Sequence, residues 1–203
     1  MPKPRVQNDA VFLNIPYDPQ FEKLYLAYIV GLTILGFVPR ATLGIPGGAR
    51  RLERIYELIR SCRYSIHDLS RVQLDRKAPR VPRFNMPFEL GLAVAWTTEN
   101  PSRHTWFACE EDQYRPLKSI SDLNGTDFHV HKGTVVGVMR ELCNVFVRKH
   151  NRPTVPFMMK VYRQLRLRLP QILLEAGAAA VFEARVFDDL CAVVTSLARR
   201  GPG

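Results

Sequence analysis

No stretch of this 203-residue chain approaches the ~18 consecutive apolar residues needed to span a membrane. The basic start Met1-Pro2-Lys3-Pro4-Arg5 is not followed by an apolar leader core, because Gln7, Asn8 and Asp9 interrupt it. A cytoplasmic protein without membrane contact is the expectation. Cysteine is scarce. Cys62, Cys109, Cys143 and Cys191 are widely separated and form no C-x-x-C pair, which argues against a zinc ribbon and fits reduced, buried thiols. The chain has no Gly-x-Ser-x-Gly, so the nucleophile elbow of a serine hydrolase is missing. Leu43-Gly44-Ile45-Pro46-Gly47-Gly48 lacks the Lys-Ser/Thr of a P-loop and reads as a turn. Internal repeats and low-complexity tracts are also lacking.

What is present is an ordinary globular composition, 46% hydrophobic and 24% charged, with a net charge of +10. The excess is spread out, +6 over residues 1–150 and +4 over residues 151–203. The positive balance suits an anionic partner, a nucleotide or a nucleic acid, or simply solvated arginines, and so distributed an excess is weak evidence for nucleic acid.

The most informative stretch is Arg83-Phe84-Asn85-Met86-Pro87-Phe88-Glu89-Leu90-Gly91-Leu92-Ala93-Val94-Ala95-Trp96. Asn85 can cap a helix and Pro87 fits a first turn. Apolar residues continue around every face, which predicts a buried helix with Glu89 as its one carboxylate. One turn inside, the helix dipole favours the ionised form. Such a carboxylate faces a cavity, a ligand or an ion-pair partner. Read structurally, Glu89 pairs with an arginine; read functionally, it attacks a sugar carbon or stabilises an oxocarbenium-like centre.

Along the chain, Ala10–Ile15 reads as a buried strand feeding a loop, and Asp18-Pro19 as the start of a helix that ends at Gly36. Residues 37–42 form a second strand whose Pro39 points to a sheet edge. Arg51–Cys62 is an amphipathic helix, and Tyr64–Leu69 a third strand with Asp68 near its carboxyl end, the edge where parallel sheets bind ligands. The loop 70–84 is strongly basic, with Arg71, Arg76, Lys77, Arg80 and Arg83. Strands at Thr105–Cys109 and Asp127–His131 and a helix over 134–150 follow. This alternation predicts an α/β fold, an open parallel sheet of about five strands flanked by helices. Beyond residue 151 the pattern is helical only, Phe157 to about Leu173 and about Ala178 to Arg199, so residues 1–150 and 151–203 read as a core and a helical extension. The stripes Phe157, Val161, Leu165, Leu169 and Val186, Leu190, Val193, Leu197 must bury a face, against the core or in a homo-oligomer formed through residues 157–200.

Three segments resemble one family, the nucleoside 2-deoxyribosyltransferase-like N-glycosidases, whose fold is related to TIR domains. They are Val11-Phe12-Leu13-Asn14-Ile15-Pro16-Tyr17, Ile66-His67-Asp68-Leu69-Ser70, and Asn85-Met86-Pro87-Phe88-Glu89-Leu90-Gly91-Leu92-Ala93. The resemblance covers roughly residues 10–150. It implies a flavodoxin/TIR-like sheet, Glu89 as nucleophile, and cleavage of a base–sugar bond in a nucleotide or NAD, in a defence or signalling setting. The family's Asp-x-Gly-Thr before this helix is replaced by Arg83-Phe84-Asn85-Met86-Pro87, so Asn85 would have to orient the sugar hydroxyl.

The residue types suit that chemistry by themselves. Breaking the bond builds positive charge on the anomeric carbon, which a carboxylate such as Glu89 can meet, while a second acid, Asp68, protonates the base or holds the sugar. Asp68 also fits a plain turn cap. Tyr17 is a candidate to stack on substrate or a half-buried loop aromatic, and Asn14 a candidate to hold a ribose hydroxyl or to close its own turn. Arg71 and Arg83 are candidates for phosphate, which suits a nucleotide or NAD. No cofactor is expected, with NAD entering as substrate. His129-x-His131 with His67 raises a metal site, but without ligands at helical spacing nearby the expectation is none. The alternative to an enzyme is a non-catalytic nucleotide-sensing module of the same fold.

Overall fold

The computed structural model describes residues 7–44, 51–71, 84–113, 115, 118, 120–147 and 153–199. Five strands, β1 (Gln7–Asn14), β2 (Val38–Arg40), β3 (Cys62–Asp68), β4 (Thr105–Glu110) and β5 (Phe128–Val130), form one sheet in the order β2-β1-β3-β4-β5. Every pairing is parallel. This is the expected α/β fold. The crossover from β1 to β2 runs one way across the sheet and the crossover from β2 to β3 returns past β1 the other way, so the strand order reverses between β1 and β3. Pro39 lies in the edge strand β2, where its missing N–H breaks no ladder.

Helix α1 (Glu22–Ile34) packs on one face of the sheet with α4 (Val135–Val145), α5 (Val155–Ala176) and α6 (Ala184–Arg199). Helices α2 (Arg51–Ser61) and α3 (Asn85–Glu99) pack on the other. Period-two alternation along β1 divides the strand accordingly: Val11 and Leu13 join the α1 layer, Ala10 and Phe12 the α2/α3 layer.

Helix α1 starts three residues later than the sequence predicts. Asp18 closes a tight turn, its Oδ1 accepting from Gln20 N–H at 3.1 Å and its carbonyl from Phe21 N–H at 2.9 Å, and the helix begins at Glu22. It ends as expected at Gly36, whose φ of +81° permits the Gly36 N–H to Thr33 carbonyl and Phe37 N–H to Leu32 carbonyl bonds of a Schellman cap. Gly31 lets Leu142 of α4 lie against the α1 backbone; any side chain there would overlap the Leu142 methyl.

The centrally buried helix is α1. From Leu24 to Ile34 only Thr33 keeps appreciable exposure, because α5 and α6 cover the side away from the sheet. The expectation of a buried helix around Glu89 is therefore corrected. Helix α3 has α2 beside it and nothing described above it, so only Glu89, Leu90 and Ala93 are buried, while Phe88 is 55% exposed. Its cap position holds Phe84, and Asn85 is the first helical residue, not the cap.

The C-terminal helical pair has the expected form. Thr154 caps α5, accepting from Phe157 N–H at 3.3 Å, and Gly177 ends it in the left-handed conformation. The inner stripes, Val161, Leu165 and Leu169 with Val186, Leu190, Val194 and Leu197, share one continuous apolar cluster with α1 and the sheet. Packing on the chain's own α/β core is thus what buries them. Among the described residues no helix is long and apolar enough to cross a membrane.

Candidate active site at the switch between β1 and β3

In an open parallel sheet the carboxyl ends of the strands on either side of an order reversal diverge and leave a crevice. Here those ends carry Asn14 on β1 and His67 and Asp68 on β3. The first turn of α3 lies over them, since Asn14 Nδ2 donates to the Met86 carbonyl at 3.3 Å. Glu89 follows Met86 by three residues on the same helix face.

Glu89 is 4% exposed. Among the described residues no hydrogen bond or ion pair reaches its carboxylate. Burial pushes its pKa up from 4.5 to about 7, and the nearby Arg51 charge offsets only part of that. The arginine pair expected of a structural carboxylate is not made: Arg51, opening α2, donates instead to Thr42 Oγ1 at 3.4 Å. Tyr17 lies within the field of Glu89, Thr42 and Arg51, and burial pushes its phenol up to about 12. Its hydroxyl donates to the Leu13 carbonyl at 3.2 Å.

Behind Asn14 runs a buried hydrogen-bonded chain that sequence reasoning missed. Asn14 Nδ2 meets His67 Nδ1 at 2.8 Å, His67 Nε2 meets Ser65 Oγ at 2.8 Å, Ser65 Oγ meets His104 Nε2 at 2.9 Å, and His104 Nδ1 meets the Cys62 carbonyl at 2.9 Å. A carbonyl only accepts, so His104 carries its proton on Nδ1 and accepts at Nε2 from the Ser65 hydroxyl. Ser65 then accepts from His67 Nε2–H, and His67 accepts at Nδ1 from the Asn14 amide. The direction of every bond follows. Both imidazoles are neutral, His67 with its pKa lowered by burial to about 3 and His104 also lowered by burial. The signal in the sequence was Ser65-x-His67, two polar residues of one parity on a strand covered on both faces.

Asp68 has the opposite parity on β3 and faces the α1 layer. It is fully buried; Oδ2 accepts from the Tyr28 hydroxyl at 2.7 Å and from His131 Nε2–H at 3.0 Å, and Oδ1 accepts from Ser70 N–H at 2.9 Å. Gly133 N–H donates to His131 Nδ1 at 3.1 Å, which leaves the imidazole proton on Nε2, facing Asp68. The structure does not bring Asp68 together with Glu89. Tyr28 and His131, the partners that hold it, were not foreseen. Neighbouring Glu110, the last residue of β4, is buried too; its Oε1 accepts from Glu111 N–H at 2.7 Å and lies 3.4 Å from Arg115, and burial raises its pKa.

Of the expected substrate-binding residues, Asn14 lies at this crevice, while the ring of Tyr17 packs against Tyr25 of α1 and Phe182, with centroids 6.2 Å away in each case. Asn85 is exposed at the start of α3. Arg71 is half-buried and its Nε lies 3.3 Å from Asp18 Oδ2, tying the segment after β3 to the β1–α1 loop. Arg83 and residues 72–83 of the basic loop fall outside the described residues. His131 lies past the end of β5 and bonds to Asp68, while His129 bonds to Glu141 at 3.3 Å. Among the described residues no group of three or more His, Cys, Asp or Glu side chains could hold a metal ion.

No family model, curated protein or solved structure matches this chain.

Proposed function

We propose that this chain is a cytoplasmic N-glycosidase that cleaves the base–sugar bond of a nucleotide or NAD, with Glu89 at the anomeric carbon. The bond electrons leave with the base, positive charge grows on the sugar, and the Glu89 carboxylate attacks or stabilises that centre before water completes hydrolysis. The observation that carries the reading is Glu89 itself: a buried carboxylate without an ion-pair partner among the described residues, on the helix whose first turn lies over Asn14 at the strand-order reversal. The resemblance to the nucleoside 2-deoxyribosyltransferase-like family through Glu89-Leu90-Gly91-Leu92-Ala93 supports it. A sensing module of the same fold is the competing reading, favoured by Asp68, whose carboxylate already accepts from Tyr28, Ser70 and His131 and is held as a structural acceptor. Chromatography of free base after incubation with NAD and a nucleotide panel separates the two. Release by the native chain that is lost in Glu89→Gln is expected of the enzyme. Binding without release is expected of the sensor.

Self-association through residues 157–200 belongs to the same proposal, carried by the outer face of α5. Leu167 and Leu174, one heptad apart, are 82% and 75% exposed, with exposed Arg163 and Arg168 nearby. On the opposite side of the sheet, Leu52 and Tyr56 of α2 with Leu92, Ala95 and Trp96 of α3 line an apolar groove of about 370 Å³, and Glu53 and Glu99 complete its wall. A leucine stripe with basic neighbours complements an apolar groove with acidic ones, and a second copy of the chain supplies both.

A further inference from the structure

Asn14 ends in a polar atom that nothing among the described residues satisfies. Its Oδ1 is buried and has no hydrogen-bond partner among the described residues, in a side chain that is 2% exposed. An acceptor buried without a donor has lost its hydration and gained nothing in return. Rotating the amide does not relieve this. The Met86 carbonyl requires an N–H at 3.3 Å, and His67 Nδ1 requires one at 2.8 Å, because His67 Nε2–H is already donated to Ser65. The Ser65–His104–Cys62 chain therefore fixes Asn14 Nδ2 inward and leaves Oδ1 as an obligate acceptor. This acceptor sits at the end of β1, against the turn of α3 that precedes Glu89.

We propose that Asn14 Oδ1 accepts a hydrogen bond from the sugar 2′-hydroxyl of the ligand, making this a site for ribosyl and not 2′-deoxyribosyl nucleotides. The ligand's identity as a nucleotide rests on the function proposed above; the acceptor itself rests only on the hydrogen-bonded chain. A group that reacts at the anomeric carbon lies next to C2′, and the hydroxyl there is a donor at the required place. The role that the motif resemblance left to Asn85 passes to Asn14, because Asn85 is exposed on α3 while Asn14 is held behind the same helix turn. His67, Ser65 and His104 are positioning residues: they orient the amide without reaching the ligand.

Calorimetric titration of the full chain with AMP, 2′-deoxy-AMP and 3′-deoxy-AMP tests this, with Glu89→Gln used in parallel to exclude turnover. AMP and 3′-deoxy-AMP should bind about tenfold more tightly than 2′-deoxy-AMP. In Asn14→Ala that ratio should fall to about one. In Ser65→Ala, which leaves Asn14 in place but frees His67, it should narrow to about threefold; where Asn14→Ala is too unstable to titrate, this ratio decides. Equal binding of AMP and 2′-deoxy-AMP by the native chain, an unchanged ratio in the variants, or no binding of any of the three at millimolar concentration overturns the inference. Base release is read separately. A 2′-hydroxyl preference without base release sinks the glycosidase and leaves the acceptor role standing, and base release with no such preference does the reverse.

Discussion

Tyr28 of α1 donates its hydroxyl to Asp68 of β3 at 2.7 Å, and both side chains are buried. Burial and the carboxylate together hold the phenol pKa well above its usual value, so Tyr28 remains a donor at all working pH. With Ser70 N–H and His131 Nε2–H this makes Asp68 the post that ties the sheet to α1 and to the loop before α4. Asp68→Asn puts an N–H₂ opposite at least one donor whichever way the amide turns and should cost about 2–4 kcal/mol of stability. Tyr28→Phe removes one of three bonds and should cost about 1 kcal/mol, with base release per folded molecule within threefold of native. Denaturant unfolding and turnover measured on the same samples check both. A Tyr28→Phe chain of native stability whose turnover collapses would return Asp68 to the chemistry.

The pH dependence of Glu89 has a definite sign. Its pKa in the folded chain, about 7, lies above the ordinary 4.5, so the native state holds a proton that the unfolded chain releases between those values. Stability from this group is full below pH 4.5 and is lost as pH rises through 7. Glu89→Gln should therefore melt higher than native at pH 8, by on the order of 3 kcal/mol, and the difference should vanish near pH 4.5. Base release by the native chain should rise through pH 7 to a plateau as the carboxylate forms. A difference in stability that does not change with pH would show that Glu89 ionises normally and has a partner.

His67 and His104 should stay neutral in acid, with opposite tautomers: the proton on Nε2 in His67 and on Nδ1 in His104. Imidazole ¹⁵N shifts distinguish the two forms directly. Because both folded pKa values are lowered from 6.5, the unfolded chain binds the extra protons, and stability falls as pH drops below 6.5. The loss should approach about 1.4 kcal/mol per pH unit per histidine. A His67 that titrates near 6.5 would break the hydrogen-bonded chain as drawn.

The sheet was legible because buried parallel strands and their intervening helices carry local signals: apolar runs, Gly36 past a helix end, Pro39 on an edge. Asp68 could be assigned to a carboxyl edge for the same reason. Its partners could not be read, since Tyr28 is 40 residues and His131 63 residues away in the chain and they meet only through packing. The environment of α3 misled for a related reason. Periodicity reports that a helix is apolar, but which helix is covered depends on where α5 and α6 return, and they return over α1. Glu89 stood out because a lone carboxylate in an apolar stretch is conspicuous; Ser65 and His104 did not, because each is an ordinary polar residue until the strands align them.

Self-association gives the last prediction. Helix α5 lies on the α1 side of the sheet and the α2/α3 groove on the other, so a contact between them joins unlike surfaces. Unlike surfaces do not close into a two-fold dimer; they make a ring or an open chain. Light scattering of the full chain should therefore show mass that grows with concentration and does not settle at a dimer. Leu167→Glu and Leu174→Glu replace exposed leucines, so each should be neutral for folding within about 0.5 kcal/mol yet abolish the growth. Ala95→Arg should act the same way from the groove side, and a mixture of Leu167→Glu with Ala95→Arg chains should stop at dimers, since each retains one intact surface. Added salt should weaken association through the Arg163, Arg168, Glu53 and Glu99 charges. A native chain that stays monomeric at hundreds of micromolar would leave Leu167 and Leu174 as ordinary exposed leucines.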